Sequence, residues 1–300
     1  MINSKQTYDK RVPSTLIEET GTKVLTRDGV SLFVHAWIPN NPQRVLMCVQ
    51  GLGGHGGYYC ELARQIATGG TIVVAPDLRG HGLSEGMRGD IDRFDRYGMD
   101  VGAVCNWIGV KWPYMPIVLL GESMGASIAV QYIASELYCS HRKSLIGLVL
   151  VSPVFSTALR PTLIEAVHFV HSLLFMPTYP TMAVTGREEL GCRDADFNAR
   201  LRADPLFVRL VSARFLVKLI LWLRQSRRKA VQINLPILVL LGGTDKIASR
   251  KGTSTFLRNV PAREQRIVTF PEAFHCLLRD PDTPRVVRIL NEWLINHNGE

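Results

Sequence analysis

The sequence predicts an α/β protein in which helices flank a mostly parallel sheet and a helical insertion interrupts it. Short apolar runs typical of buried strands alternate with helix-like segments over residues 45–151 and again over 237–295. Between these stretches strand-like runs vanish, and basic helical segments with apolar faces replace them. A sharp glycine-flanked turn at 121–125 joins one apolar run to a helix. We therefore expect a core of residues 1–154 and 233–300 and a helical cap of residues 155–232.

Each element of the predicted core has its own pattern. Two β-prone runs flank Arg27-Asp28-Gly29 and predict a hairpin. Short strand-like runs predict strands at 45–49, 72–75, 116–120, 145–151, 237–241 and 266–270. The apolar runs 45–49, 116–120 and 145–151 predict buried strands. Helix-like segments predict helices at 58–68, 93–110, 126–137, 249–259 and 283–295, and Trp107 and Ile108 lie on an apolar face of the second.

Length and composition set the class of protein. With 300 residues and 46% hydrophobic content, the chain can bury a sizeable core. The longest apolar stretch, 163–176, is too short to span a bilayer, and residues 1–13 lack the apolar segment of a secretory signal. Six scattered cysteines show neither a C-x-x-C pair nor metal-ligand spacing. We expect a soluble cytoplasmic protein with reduced thiols and no metal.

The net charge of +9 is unevenly distributed. Residues 187–229 hold eleven Lys and Arg but five Asp and Glu. One interpretation is a solvated basic face, and the other is peripheral attraction of a basic cap to an anionic membrane or an acidic substrate. We expect no nucleic-acid partner, because no nucleic-acid motif is present and aromatic residues do not interleave with the basic ones.

The turn Gly121-Glu122-Ser123-Met124-Gly125 carries the strongest functional signal. A G-x-S-x-G sequence between a buried strand and a helix is typical of the nucleophile elbow of serine hydrolases. A serine hydroxyl needs a base and an orienting acid, and sites in open α/β sheets form at the carboxyl ends of strands. Two later strands end in loops that carry Asp245 and His275. The chain order Ser123, Asp245, His275 is that of the α/β-hydrolase fold.

An oxyanion hole requires two backbone N–H groups near the nucleophile. One candidate is Met124, directly after Ser123 at a helix N-terminus. The other is Leu52, in the glycine-rich loop that follows the strand 45–49. The same loop matches G-x-G-x-x-G at 51–56 and precedes Asp77 by about twenty residues, which is a dinucleotide-binding pattern. That alternative leaves the elbow, Asp245 and His275 without a role.

With these residues assigned, the chain resembles the monoacylglycerol lipase and lysophospholipase family of α/β hydrolases. The resemblance covers about residues 21–295 and rests on several motifs: Gly51-Leu52-Gly53-Gly54-His55, Asp77-Leu78-Arg79-Gly80-His81-Gly82, the Gly-x-Ser-Met-Gly elbow, Ala203-Asp204-Pro205-Leu206, and the Asp245 and His275 loops. It implies a cofactor-independent ester hydrolase that acts on single-chain lipids through Ser123, Asp245 and His275, with Leu52 and Met124 as oxyanion donors. Two positions depart from the family pattern, Gln50 in place of a histidine and Glu122 in place of another. His55 and His81 match family positions, and we interpret both as loop-stabilising hydrogen-bonding groups.

Apolar residues of the cap recur at near-helical spacing over 162–176 and 207–223. They could pack the cap onto the core, or they could line a channel for an acyl chain or rest on a lipid surface. Under the second interpretation, the candidate substrate contacts are Leu163, Val167, Leu173, Leu174 and Phe215.

Several functions remain compatible with this fold. Thioesterases, peptidases and acyltransferases share it, whereas the hydrolases of this fold that use an aspartate nucleophile do not fit Ser123. The alternative from another class is a non-catalytic binding protein. Such a protein commonly lacks one triad residue, and all three are present here.

Overall fold

A computed structural model describes residues 17–184 and 190–297. Within these ranges eight strands form one sheet: β1 (Ile17–Leu25), β2 (Ser31–Pro39), β3 (Arg44–Val49), β4 (Thr71–Pro76), β5 (Ile117–Glu122), β6 (Leu145–Val151), β9 (Ile237–Gly242) and β10 (Gln265–Phe270). They lie side by side in the order β1-β2-β4-β3-β5-β6-β9-β10. β2 is antiparallel to β1 and β4, and all other pairs are parallel. The predicted α/β class with a mostly parallel sheet is therefore confirmed.

The predicted hairpin is formed by β1 and β2. Thr26 closes its turn, because its hydroxyl accepts a hydrogen bond from the Val30 N–H at 2.9 Å and donates to Asp28 at 2.7 Å. Gly29 has φ = 81°, a left-handed conformation that glycine adopts without steric cost. The turn thus fixes the register in which Leu25 pairs with Ser31.

Helices cover both faces of the sheet and bury two apolar layers. On one face α2 (Arg96–Lys111) and α3 (Met124–Ile133) pack, and on the other α1 (Cys60–Ile66) and α8 (Thr283–Asn296). Successive residues of β3 alternate between the layers, with Met47 in the first and Leu46 in the second. Each fully buried aliphatic side chain contributes roughly 1.5–3 kcal/mol to folding. The central strands are therefore held firmly in place, and so are the loops at their carboxyl ends.

The segment between β6 and β9 is mainly helical. It contains α4 (Leu163–Phe175), α5 (Ala195–Ala203) and α6 (Ala213–Arg228). The prediction that this segment lacks strands is wrong, because β7 (Pro180–Ala183) pairs antiparallel with β8 (Leu210–Ser212). β8 also occupies part of the predicted helix at 207–223, which begins instead at Ala213 after a Ser212 cap. The boundaries of the core and cap at 154/155 and 232/233 stay a prediction.

α7 (Arg250–Leu257) follows β9 and packs against α6. None of the helices in the described ranges combines the length and apolar character needed to cross a membrane. Two sequence predictions rest partly on residues outside the described ranges. The expected absence of a secretory signal depends on segment 1–13, and the basic stretch includes residues 187–189.

Candidate active site

The turn between β5 and α3 holds Ser123 in an unusual backbone conformation. Ser123 has φ = 55° and ψ = −116°, a region that costs a non-glycine residue of order 1–3 kcal/mol. A Cβ atom at Gly125 would lie 2.1 Å from the Val49 carbonyl oxygen, and one at Gly121 would lie 2.5 Å from the Ala126 Cα. Only glycine fits at these two positions, and the tight turn they allow exposes the serine hydroxyl.

Ser123, His275 and Asp245 come together although 152 and 30 residues separate them in the chain. The Nε2 atom of His275 lies 2.8 Å from Ser123 Oγ, and its Nδ1 atom lies 2.7 Å from Asp245 Oδ2. An ionised carboxylate only accepts hydrogen bonds, so Nδ1–H donates to Asp245. Nε2 is then unprotonated in the neutral ring and accepts the Ser123 hydroxyl proton. This is the contact chain that an activated serine requires.

The Asp245 carboxylate is held in its ionised form. Its Oδ1 atom accepts hydrogen bonds from the backbone N–H groups of Ile247 and Ala248 at 2.8 and 3.0 Å. Burial works to raise the pKa of Asp245, but the hydrogen bond from His275 and the two amides outweigh burial and lower the pKa below its usual value. Asp245 is therefore a fixed negative charge that orients the His275 ring.

The two oxyanion candidates flank Ser123. Met124 is the first residue of α3, where a backbone N–H has no carbonyl partner within the helix. Leu52 follows Gly51, at which a Cβ atom would lie 3.0 Å from the Ser123 Cβ. The Gln50 side chain, one of the departures from the family pattern, donates from Nε2 to the Gly54 carbonyl at 2.9 Å and so supports this loop. The oxyanion role of Leu52 and Met124 stays a prediction.

A buried ion pair beside the nucleophile was not foreseen from the sequence. Glu122 precedes Ser123, and its carboxylate accepts hydrogen bonds from the Arg279 guanidinium and, at 2.8 Å, from the Tyr59 hydroxyl. Arg279 follows His275 by four residues and lies over the rings of Tyr58 and Tyr59. The ion pair thus ties the strand end that carries Ser123 to the loop that carries His275. The only sequence signal was an acidic residue where the family usually has a histidine.

The Ala203-Asp204-Pro205-Leu206 motif joins the inserted segment to the glycine-rich loop. Asp204 Oδ2 accepts hydrogen bonds from His55 Nε2 at 2.9 Å and from the Tyr58 hydroxyl. Burial works to raise the pKa of Asp204, but these hydrogen bonds and one from the Leu206 N–H outweigh it and lower the pKa to about 2. His81 is buried, and its Nδ1 atom lies 3.1 Å from the Arg79 carbonyl. Both histidines thus have loop contacts of the kind we expected.

The glycine-rich loop is not arranged to bind a dinucleotide. The Asp77 carboxylate, which would have to reach a ribose, is fully buried and accepts hydrogen bonds from the N–H groups of Gly56 and Leu83 at 2.6 and 2.7 Å. Asp77 also lies near His35 and His55, and one donor atom from each falls within 4.8 Å of the others. His35 Nε2 bonds to Asp77, and His55 Nε2 bonds to Asp204, so both imidazole nitrogens already have hydrogen-bond partners in the protein.

The candidate substrate contacts fall into two groups. On α4, the side chains of Leu163, Val167, Leu173 and Leu174 are exposed, with relative exposures of 81%, 63%, 37% and 69%. The packing interpretation therefore does not hold for these four side chains. The helix contacts the core through the partly buried Phe169, and its one buried residue is Ser172. Phe215 is instead buried on α6, with its ring 5.0 Å from that of Phe94. The position of Phe215 favours packing, and substrate contact at all five residues stays a prediction.

The sheet order, the strained turn and the strand-end loops define an α/β hydrolase. A soluble variant of monoglyceride lipase from Saccharomyces cerevisiae has a similar fold, with a TM-score of 0.79 over 97% of this chain and 99% of the other at 19% identity. By sequence, the chain is 28% identical to the monoglyceride lipase of Mus musculus over 95% of this chain and 93% of that protein. It is 23% identical to the monoacylglycerol lipase of Mycolicibacterium smegmatis over 90% and 94%.

Residues 40–282 match the Hydrolase_4 family, described as serine aminopeptidase, S33, and the chain belongs to this family. The family and these relatives establish the chain as a carboxylic ester hydrolase. The expected membership in the α/β hydrolases related to monoacylglycerol lipase is thus confirmed.

Proposed function

We propose that the protein hydrolyses the acyl ester of single-chain lipids of the monoacylglycerol type through Ser123, His275 and Asp245. The observation that carries this proposal is the pair of contacts at 2.8 and 2.7 Å that links the three side chains. Relatives named monoglyceride lipase that match almost the whole length of the chain support the substrate class.

The reaction follows from the geometry. His275 Nε2 accepts the Ser123 proton as Oγ attacks the ester carbonyl, and the imidazolium that forms is stabilised by Asp245. The Leu52 and Met124 N–H groups donate to the oxyanion of the tetrahedral intermediate. His275 donates its proton to the departing alcohol, and the acyl group remains bound to Ser123. His275 then activates a water molecule that releases the fatty acid and restores the serine.

Exposed apolar side chains on α4 support a lipid substrate. Leu163, Ile164, Val167 and Leu174 are each more than 60% exposed, and such a surface on a soluble-enzyme fold is typical of a lipid or protein contact. We propose that α4 rests at the surface of the lipid aggregate that supplies the substrate. The basic cap would strengthen this contact where the lipid is anionic.

The family description makes a peptidase the second candidate. An aminopeptidase must bind the ammonium group of its substrate, which calls for a carboxylate with free acceptor capacity near the nucleophile. Glu122 is the adjacent acidic residue, and its two oxygens already bond to Arg279 and Tyr59. This arrangement favours the ester hydrolase.

The test combines the Ser123→Ala variant with a substrate series. We expect the wild-type protein to hydrolyse monoacylglycerol faster than lysophospholipid, thioester or aminoacyl-peptide substrates, and to be labelled by a fluorophosphonate. The Ser123→Ala variant should not be labelled, and its kcat should be lower by a factor of about 10³–10⁶. Added glycerol or another alcohol tests for acyl transfer by product analysis. Undiminished turnover in Ser123→Ala would exclude the mechanism, and peptide cleavage faster than ester cleavage would exclude the substrate class.

A further inference from the structure

The positive charge of the protein is concentrated in one fifth of its chain. Residues 205–263 contain twelve of the 35 Lys and Arg residues but one of the 26 Asp and Glu residues. That single acid is Asp245, which bonds to His275 in the candidate active site. The remainder of the chain has 23 basic and 25 acidic residues, so this segment alone accounts for the net charge of +9.

The fold brings two helices of this segment together around a groove. α6 and α7 pack side by side, and a groove of about 440 Å³ lies at their contact. α6 contributes Arg224, Arg227 and Arg228, while Thr255 and Asn259 line it from α7 and the residues just after it. Three guanidinium groups that share one groove can donate several hydrogen bonds to a single multivalent anion.

These arginines differ from the other clustered arginines of the protein. Arg79, Arg193, Arg214 and Arg279 each form an ion pair with a carboxylate. Within residues 17–184 and 190–297, none of the three groove arginines has an acidic side chain within ion-pair distance. Like charges three and four residues apart on a helix repel one another. The carboxyl end of α6 offsets part of this repulsion, and a bound anion would offset more.

Exposed apolar side chains accompany the groove. Val231 lines it and is 60% exposed, and on α6 Ile220 and Leu221 are 45% and 50% exposed. A surface that mixes arginine with exposed aliphatic residues is typical of proteins that lie at the level of lipid head groups. A site for a free phosphate ion would not need the aliphatic residues, so the anion is expected to belong to a lipid.

We propose that the groove between α6 and α7 binds the phosphate monoester head group of an anionic membrane lipid. The groove is a binding site separate from the Ser123 centre, and no chemistry takes place in it. This inference rests on the proposed function, in which the enzyme works at a lipid surface. It adds a head-group site that orients the enzyme on that surface. It does not depend on which ester is cleaved.

The test compares two variants that lose the same charge. The groove variant carries Arg224→Gln, Arg227→Gln and Arg228→Gln. The matched control carries Lys23→Gln, Arg142→Gln and Lys143→Gln, at exposed positions outside the segment 205–263. Each protein is sedimented with vesicles of phosphatidylcholine alone, of phosphatidylcholine with phosphatidic acid, and of phosphatidylcholine with phosphatidylserine at matched surface charge.

The wild-type protein and the control should bind the phosphatidic acid vesicles alike and more tightly than the phosphatidylserine vesicles. The groove variant should bind phosphatidic acid vesicles about 100-fold more weakly, because each basic residue near the surface contributes about a fivefold factor. The single variant Arg228→Gln should lose about fivefold. Hydrolysis of a short soluble ester should be the same in all proteins, which shows that the fold and the Ser123 centre are intact.

Four outcomes would overturn the proposal. An equal loss in the control would indicate diffuse surface charge, and equal binding to both anionic lipids would remove the phosphate preference. If inorganic phosphate or glycerol 3-phosphate bound the wild-type protein and the vesicles did not, the ligand would be a soluble one. Loss of soluble-ester hydrolysis in the single variant would place the arginine in the fold or the active site. If instead no ester is cleaved by the wild-type protein but vesicle binding follows the expected pattern, the proposed function fails and the groove stands.

Discussion

At the scale of single residues, the proposed chemistry is divided among three side chains and two backbone amides. Ser123 is held at φ = 55° by a turn that its glycine neighbours make possible. Asp245 is kept ionised by two backbone amides and by His275. The site is thus prearranged before substrate arrives, and little reorganisation is needed as charge develops on the substrate.

The role of Asp245 can be tested by one substitution. Asparagine at 245 keeps the size of the side chain but removes the charge that stabilises the His275 imidazolium, and it favours the wrong tautomer of the ring. We expect Asp245→Asn to lower kcat by about 10⁴ at neutral pH with an unchanged melting profile. Because the pKa of Asp245 lies below its usual value, the wild-type carboxylate is charged at neutral pH. A loss of less than about tenfold would argue against this role.

At the scale of elements, the Glu122–Arg279 ion pair links the end of β5, which precedes Ser123, to the loop that carries His275. Both side chains are largely shielded from solvent, with relative exposures of 9% for Glu122 and 12% for Arg279. Removal of one partner from a buried ion pair typically costs about 3–5 kcal/mol, because the other charge remains without compensation. The pair therefore makes the Ser123–His275 distance sensitive to either substitution.

We expect Glu122→Gln to lower the free energy of unfolding by about 3–5 kcal/mol in urea titrations and to slow fluorophosphonate labelling of Ser123. The double variant Glu122→Gln with Arg279→Met should recover part of the stability, since no unpaired charge is left. Asp95→Asn, which removes one partner of the exposed Arg93–Asp95 pair, is the control and should change neither measurement. If Glu122→Gln behaved like this control, the pair would have no positioning role.

Much of this arrangement could be predicted from the sequence because it is encoded locally. The strand and helix alternation, the elbow and the order of the two loops after β9 and β10 are each visible in a short window. β7 and β8 were missed because they have only four and three residues and pair across 27 positions of the chain. The Glu122–Arg279 contact depends on the folded position of a strand end and a loop whose residues are 157 positions apart. Periodicity also shows that a helix has an apolar face. It does not show whether another part of the protein packs on that face, as the exposed residues of α4 illustrate.

At the scale of the whole molecule, α4 gives the protein an apolar surface that the core does not bury. Ile164 and Leu163 are 82% and 81% exposed. On a protein in water this surface is unfavourable, and its transfer into a lipid interface would be favourable by an amount that scales with the area removed from water. The surface should therefore affect the supply of substrate and not the chemical step.

We expect Leu163→Ser with Val167→Ser to lower hydrolysis of vesicle-borne monoacylglycerol by roughly tenfold or more and to leave a short soluble ester unaffected. Val110→Ser is the matched control, because Val110 is 82% exposed on α2 and belongs to no apolar surface of the cap. Rates are compared on the same preparations with both substrates. A parallel fall in both rates would show that α4 acts on the active site itself.

Asp204 has a consequence for any attempt to treat the cap as a separable module. Its carboxylate comes from the inserted segment, yet its partners His55 and Tyr58 belong to the loop that carries Leu52. Trimming residues 155–232 would remove the carboxylate to which His55 and Tyr58 donate, next to the loop predicted to supply an oxyanion donor. A minimal hydrolase cannot be cut from this chain at those boundaries, and a transplanted lid must bring a carboxylate with it.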